Sequence, residues 1–171
     1  MEKIKKIFST IYDQNIDKIY RFIYFKVNSK EVAEDLTSEV FVRGWDKFKL
    51  PGQELKNPSA FLYQIARNLV VDHYREKGRA QVISTDYLMV DDPKQDLAEA
   101  TLLKSDMDAV RAVLFELNDD YQNAIIWRYL EEIPIAEISE MMNKSEEATR
   151  VTLHRALKAL RDGLSNPNQT A

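Results

Sequence analysis

The chain has 171 residues, of which 44% are hydrophobic, 30% charged and 10% aromatic, enough for one average domain or two small ones and unlike a disordered segment. It has no cysteine and only two histidines, His73 and His154, which excludes disulfides, thiolate chemistry and a multi-histidine metal centre. A net charge of −4 argues against a uniform nucleic-acid coat, and no apolar run approaches the roughly 20 residues that span a bilayer.

The four glycines, at 44, 52, 78 and 163, permit no phosphate-cradling GxGxxG or Walker loop and few hairpin turns. An all-α protein with no catalytic activity, cofactor or metal is expected. The lysine-bearing N-terminus is not followed by a signal-peptide core, so a cytoplasmic location is expected. Charge is spread unevenly. Residues 1–78 hold fourteen Lys and Arg against eleven Asp and Glu, residues 79–106 three against six, and residues 107–171 seven against eleven. Within that acidic last part, residues 147–161 carry four bases and one acid.

In chain order, a first helix is expected over Lys3–Lys26, with Ile4, Ile7, Phe8, Ile11, Ile19, Phe22 and Ile23 as its apolar set. Asn28 as N-cap, with Glu31 three residues on, opens a second helix. Its apolar arc is Val32, Leu36, Val40, Phe41, Trp45 and Phe48; Asp35, Ser38, Glu39, Val42 and Asp46 fill the opposite arc. Carboxylates four apart fit a metal or catalytic pair only with a histidine or a second carboxylate helix beside them, and neither is present. A solvated face, or a surface for basic residues of a partner helix, fits better.

After a loop from Lys49 to Lys56, Asn57-Pro58 opens a third helix. Phe61, Leu62, Ile65, Ala66, Leu69 and Val70 form its apolar face, and Tyr63, Gln64, Arg67, Asn68, Tyr74 and Arg75 gather on the other. Aromatics interleaved with Arg, Gln and Asn suit a single nucleic-acid strand, because bases stack on rings while guanidinium groups meet phosphates. A solvated face with two surface tyrosines fits the same pattern.

Two small helical domains, 1–78 and 105–165, are expected, joined by a flexible linker over 79–104 and followed by a frayed tail, 166–171. In the second domain a helix near Asp106–Leu117 ends before Asn118, which caps the next helix with Asp119 and Asp120 in its first turn. Pro134 opens a short helix, Asn143-Lys144 turns, and Ser145 caps a final helix that Gly163 is expected to terminate. Glu147, Arg150, Val151, His154, Arg155, Lys158 and Arg161 face outward from it. A short helix, a tight turn and a longer basic-faced helix form a helix-turn-helix signature. An ordinary helical hairpin with a charged face has the same spacing; the clustering of bases in an acidic domain favours DNA.

Four segments then resemble bacterial sigma factors of the extracytoplasmic-function class. Asp35-Leu36-Thr-Ser-Glu39-Val40-Phe41-Val-Arg-Gly-Trp45 is similar to the family's second conserved segment, and Asn57 to Arg75 to the promoter-melting helix after it. Leu117–Ile125 and Ser145–Arg161 resemble the −35-reading domain. The resemblance implies sigma domains two and four in a transcription initiation factor that binds core RNA polymerase and directs it to promoter DNA. It implies that Asp35, Leu36, Glu39 and Val42 lie against the clamp helices of the largest polymerase subunit, with Trp45 and Phe48 as core beneath. The loop Lys49–Asn57 would capture a flipped −10 base. Lys56, Asn57, Tyr63, Arg67, Asn68 and Arg75 would hold the −10 strand. Glu147, Arg150, His154, Arg155 and Lys158 would meet the −35 duplex. Further implied partners are the flap of the second-largest polymerase subunit and an anti-sigma protein.

The chain departs from the family pattern at Glu147, where a glycine is common, and at Val151-Thr152, where a Ser-Arg pair is common. The alternative is a conventional dimeric helix-turn-helix regulator, which accounts for 134–162 but leaves the first domain's segments idle.

Overall fold

The computed structural model describes residues 1–52, 54–80 and 98–165, and the side chains of these apart from 79–80 and 98–106. Among the described residues there are seven α-helices, one π-helical turn and no strand. The chain divides into two compact units, Met1–Met89 and Val90–Ala171. Of the linker expected over 79–104, residues 81–97 lie outside the described residues, while 79–80 continue one helix and 98–104 open the next. The expected tail, 166–171, also lies outside them.

In the first unit α1 (Glu2–Val27), α2 (Lys30–Phe48) and α3 (Pro58–Ala80) pack against one another pairwise. Ile19, Phe22 and Ile23 of α1 meet Ala33 and Val40 of α2 and Leu62 and Ala66 of α3 in a core with no solvent exposure. The α1–α2 junction corrects the expected cap by one residue. Asn28 is left-handed at φ 52° and closes α1, its N–H donating to the Tyr24 carbonyl at 2.8 Å. Ser29 therefore becomes the N-cap of α2, its hydroxyl accepting from the Val32 N–H at 3.3 Å. The line of α2 that goes deepest is Ala33, Thr37, Val40, Phe41 and Gly44. Small side chains there let the backbones approach: a Cβ on Gly44 would stand 3.0 Å from Leu62 Cδ2. Asn57 caps α3 as expected, accepting from the Ala60 N–H at 3.1 Å.

The second unit comprises α4 (Ala98–Glu116), α5 (Asp119–Ile125), a π-helical turn (Ile126–Leu130), α6 (Ile135–Met142) and α7 (Glu146–Ser165). Its core is built on Trp127, Ile126, Ile138, Ala124 and Ala156, and α7 packs against α4, α5 and α6. Asn118 caps α5 through a 2.9 Å bond from the Tyr121 N–H, and Ser145 caps α7 through a 3.0 Å bond from the Ala148 N–H. Both caps match the sequence expectation. Gly163 does not end α7. It is buried within the helix where a Cβ would stand 2.4 Å from Val113 Cγ1, so the absent side chain sets the approach of α7 to α4.

Candidate functional site

Three faces carry the residues singled out in the sequence, two on the first unit and one on the second. On α2 the 3.6-residue period brings Asp35, Glu39, Val42 and Asp46 to the side away from the core. Asp35 and Val42 are exposed, and Leu36 and Glu39 half-buried. Glu39 Oε1 accepts from Arg43 Nε at 2.8 Å, and Asp46 pairs with Lys49 at 3.1 Å, so both carboxylates have cations on the same helix turn. No cluster of metal-ligating side chains occurs among the described residues. Val42, at 55% exposure, is an apolar side chain with nothing over it.

Beside this stripe lies a feature that sequence reasoning passed over. Lys5, Phe8, Ser9, Tyr12 and Trp45 line an open, largely apolar groove of about 350 Å³. Phe8 leans on Trp45 and Phe48 at 5.3 and 5.5 Å between ring centroids, and Tyr12 meets Phe41 edge-on at 4.7 Å. The i, i+4 pairing of Phe8 with Tyr12 was the available signal. Trp45 and Phe48 are half-buried, so they floor this region rather than filling a closed core.

The α3 face differs from its expectation at two aromatics. Tyr63 is 1% exposed and packs edge-on against Phe22 at 5.3 Å, inside the core. Tyr74 is half-buried, and its hydroxyl donates to the Lys26 carbonyl at the end of α1. Burial pushes the Tyr74 phenol up to about 12. Neither ring is a stacking platform, because α3 is flanked by both α1 and α2 and its buried arc is correspondingly wide. What remains outside is polar. Gln64, Asn68 and Arg75 are exposed on one stripe with Val71, and Gln64 donates to Asn68 across a turn at 3.3 Å. Arg75 pairs with Asp72 at 3.7 Å, Arg67 is half-buried at the edge of the stripe, and Lys56 is exposed just before the Asn57 cap. In the preceding loop Leu50 is 51% exposed and Gly52 adopts φ 81°, a conformation that favours glycine.

The α7 face matches its expectation closely. Thr149, Thr152, Leu153, Ala156 and Gly163 are buried, while Glu147, Arg150, His154, Arg155 and Lys158 are all exposed. Glu146 pairs with Arg150 at 3.7 Å. Val151 stands among them at 45% exposure. A capped helix N-terminus, exposed cations along one side and an apolar methyl-bearing residue between them have the chemistry to meet phosphates, base edges and a thymine methyl.

Residues 11–80 match the family model for sigma-70 region 2, and residues 107–160 that for sigma-70 region 4. The chain is 34% identical over 158 residues to the ECF RNA polymerase sigma factor BldN of Streptomyces coelicolor, covering 90% of this chain and 58% of that protein. It is 30% identical over 171 residues to the ECF RNA polymerase sigma factor SigW of Bacillus subtilis, covering 92% of this chain and 88% of the relative. The fold is similar to that of the sigma factor RpoE from Bartonella quintana, solved in complex with the anti-sigma factor NepR, with a TM-score of 0.66 at 20% identity over 94% and 98% of the two chains. No helix among the described residues is long and apolar enough to cross a membrane.

Proposed function

The chain belongs to the ECF class of the sigma-70 family of transcription initiation factors, and from that premise we propose that it binds core RNA polymerase, docks it on a −35 duplex and opens the −10 element. In this reading the α2 stripe of Asp35, Leu36, Glu39 and Val42 meets the polymerase clamp helices, offering carboxylates to basic residues around an apolar centre. The flap of the second-largest subunit meets the second unit. An anti-sigma protein, of the kind bound to RpoE, is a further partner. The site of action is the cytoplasm, where promoter DNA is.

The α7 face enters the major groove. Arg150, near the capped end, reaches base edges, and Lys158, two turns further along, meets phosphate as a point charge. Strand opening falls to the first unit. Unstacking a base costs a few kcal/mol, and with Tyr63 in the core no exposed ring on the α3 stripe repays it by stacking. The strand is held instead by the Asn68 amide and the Arg67 and Arg75 cations, with Lys56 attracting phosphate beside the loop. Exposed Leu50 gives that loop an apolar contact for a flipped base.

The observation that carries this reading is the row of exposed cations on α7 behind a capped helix start, in a unit whose formal charge is otherwise acidic. The test is to mix the chain with bacterial core polymerase. Comigration and promoter-dependent transcription are expected. A dimer that footprints DNA without polymerase would overturn the reading in favour of a conventional helix-turn-helix regulator.

A further inference from the structure

One cation beside α7 belongs to none of the three faces above. Asn143 takes a left-handed conformation, φ 56°, which ends α6 and turns the chain, and Lys144 follows immediately before the Ser145 cap. Its Nζ lies 3.2 Å from Asp120 Oδ2 in the first turn of α5 and 3.4 Å from Thr152 Oγ1 on α7. These residues share an open cleft of about 390 Å³ with Asn118, Asp119, Tyr121 and Arg155. One wall of the cleft is therefore α7 itself, with Arg155 from the DNA-facing row. The other is the acidic start of α5.

We infer that Lys144 is a phosphate contact of the −35 duplex, held beside α7 by Asp120, which a DNA phosphate displaces; this rests on the reading of α7 as the −35 helix. When a recognition helix lies in the major groove with its first turns toward the bases, the preceding turn lies along the groove's phosphate wall. Lys144 occupies that turn, and its flexible stem carries a charge that needs no fixed approach angle. Its pair with Asp120 is between half-exposed groups, 33% and 47% by side chain, and such pairs are weak and readily exchanged. A phosphate is the better partner for the lysine and a repulsive neighbour for the aspartate. Asp120 thus both positions Lys144 in the free chain and holds down its affinity for DNA of any sequence.

The experiment uses the full chain with bacterial core polymerase, titrated with salt on two probes: a duplex that this holoenzyme selects from a random pool, and an unrelated duplex. Lys144→Ala is expected to weaken binding about three- to tenfold on both probes and to reduce the slope of log affinity against log salt by about one. Lys144→Arg is expected to restore both. Asp120→Asn is expected to tighten binding to both probes in the parent, and by a smaller factor in the Lys144→Ala background, where only the repulsion between aspartate and phosphate is relieved. Thermal melts of each variant establish that the fold is kept. Parent-like affinity and slope for Lys144→Ala, alongside a loss of preference for the selected probe in Arg150→Ala, would overturn the inference and leave the −35 reading standing. If Arg150→Ala also binds both probes as the parent does, the −35 reading itself falls and the inference with it.

Discussion

Of the two helices whose sequence suggested a DNA-facing surface, α7 and α3, only α7 leaves the expected residues exposed. The α7 helix buries a narrow stripe of mostly small residues, Thr149, Thr152, Leu153, Ala156 and Gly163, and leaves every expected contact residue in solvent. The α3 helix is flanked by α1 and α2 and buries Leu62, Tyr63, Ile65, Ala66, Leu69 and Val70, a much wider arc. An amphipathic residue on the margin of a wide arc is drawn inside, because a tyrosine ring gains more from apolar contact than its hydroxyl loses. The lesson concerns arc width. Hydrophobic periodicity locates the centre of a buried face, while the number of flanking helices sets its edge.

The sharpest way to break this contrast is to truncate the residue on which it turns. Tyr63→Ala is expected to destabilise the first unit by about 3–5 kcal/mol, the cost of an aromatic-sized core cavity, and Tyr63→Phe to change little by comparison. Asn68→Ala, five positions along the same helix, is expected to leave stability within about 0.5 kcal/mol while impairing promoter opening. Denaturant unfolding checks the first pair. Permanganate reactivity of promoter DNA checks the last, with a pre-opened bubble restoring activity. A stable Tyr63→Ala variant that cannot open promoters would return Tyr63 to the DNA face.

The α2 stripe tests whether exposure of a charged face marks a partner surface. Glu39 pairs with Arg43 at 2.8 Å between two half-exposed side chains, and such a surface pair adds little to the stability of the fold. Glu39→Lys is expected to weaken binding to core polymerase by about 2–5 kcal/mol through like-charge contact at the interface, with an unchanged melting transition. Unchanged affinity in a pull-down titration removes Glu39 from the polymerase surface. On α7, Arg150→Ala is expected to cost about 1–3 kcal/mol on the preferred −35 sequence and less on others. Lys158→Ala is expected to weaken all sequences alike and to lower the salt slope. Identical behaviour of the two variants on every sequence would mean that α7 does not read bases.

How much of this was legible depended on sequence distance. The caps at Asn57, Asn118 and Ser145 are local, each a side-chain acceptor three residues before its donor, and all three stand where the sequence put them. Asn28 misled by one place because it suits both a left-handed helix end and a helix start. Gly163 read as a terminator, since nothing local reveals that Val113 lies against it. The buried line through Ala33, Thr37 and Gly44 is made of residues that carry little hydrophobic signal. The π-helical turn at Ile126–Leu130, which leaves Tyr129 and Leu130 exposed, likewise has no sequence mark. Long-range polar pairs were invisible. Asn15, buried at 2%, accepts from the Ser59 hydroxyl 44 positions away and ties α1 to the first turn of α3, and Lys144 meets Asp120 across 24 positions.

The smallest effect lies at the C-terminal end of α3, where the width of the buried arc is reported by titration. Burial lowers the His73 imidazole from its ordinary 6.5, with Lys77 adding to the shift and Glu76 opposing it. A folded value below the unfolded one means that the folded state binds fewer protons between the two. Stability from His73 is therefore fully present above 6.5 and lost as pH falls through the folded value. Tyr74 runs the other way: its stabilising contribution is present below 10 and lost as pH rises through about 12. Lys77, lowered by burial, works against that alkaline loss as pH climbs toward 10.5. The protection factors of α1 and α3 amides, in which the intrinsic pH dependence of exchange is divided out, should accordingly fall on acidification below 6.5, and His73→Gln should flatten that dependence. A spectroscopic titration should show one phenol ionising near 12 that disappears in Tyr74→Phe. Protection factors in α3 that ignore pH in both variants and parent would mean that these side chains stand in water, and that the arc of α3 is no wider than that of α7.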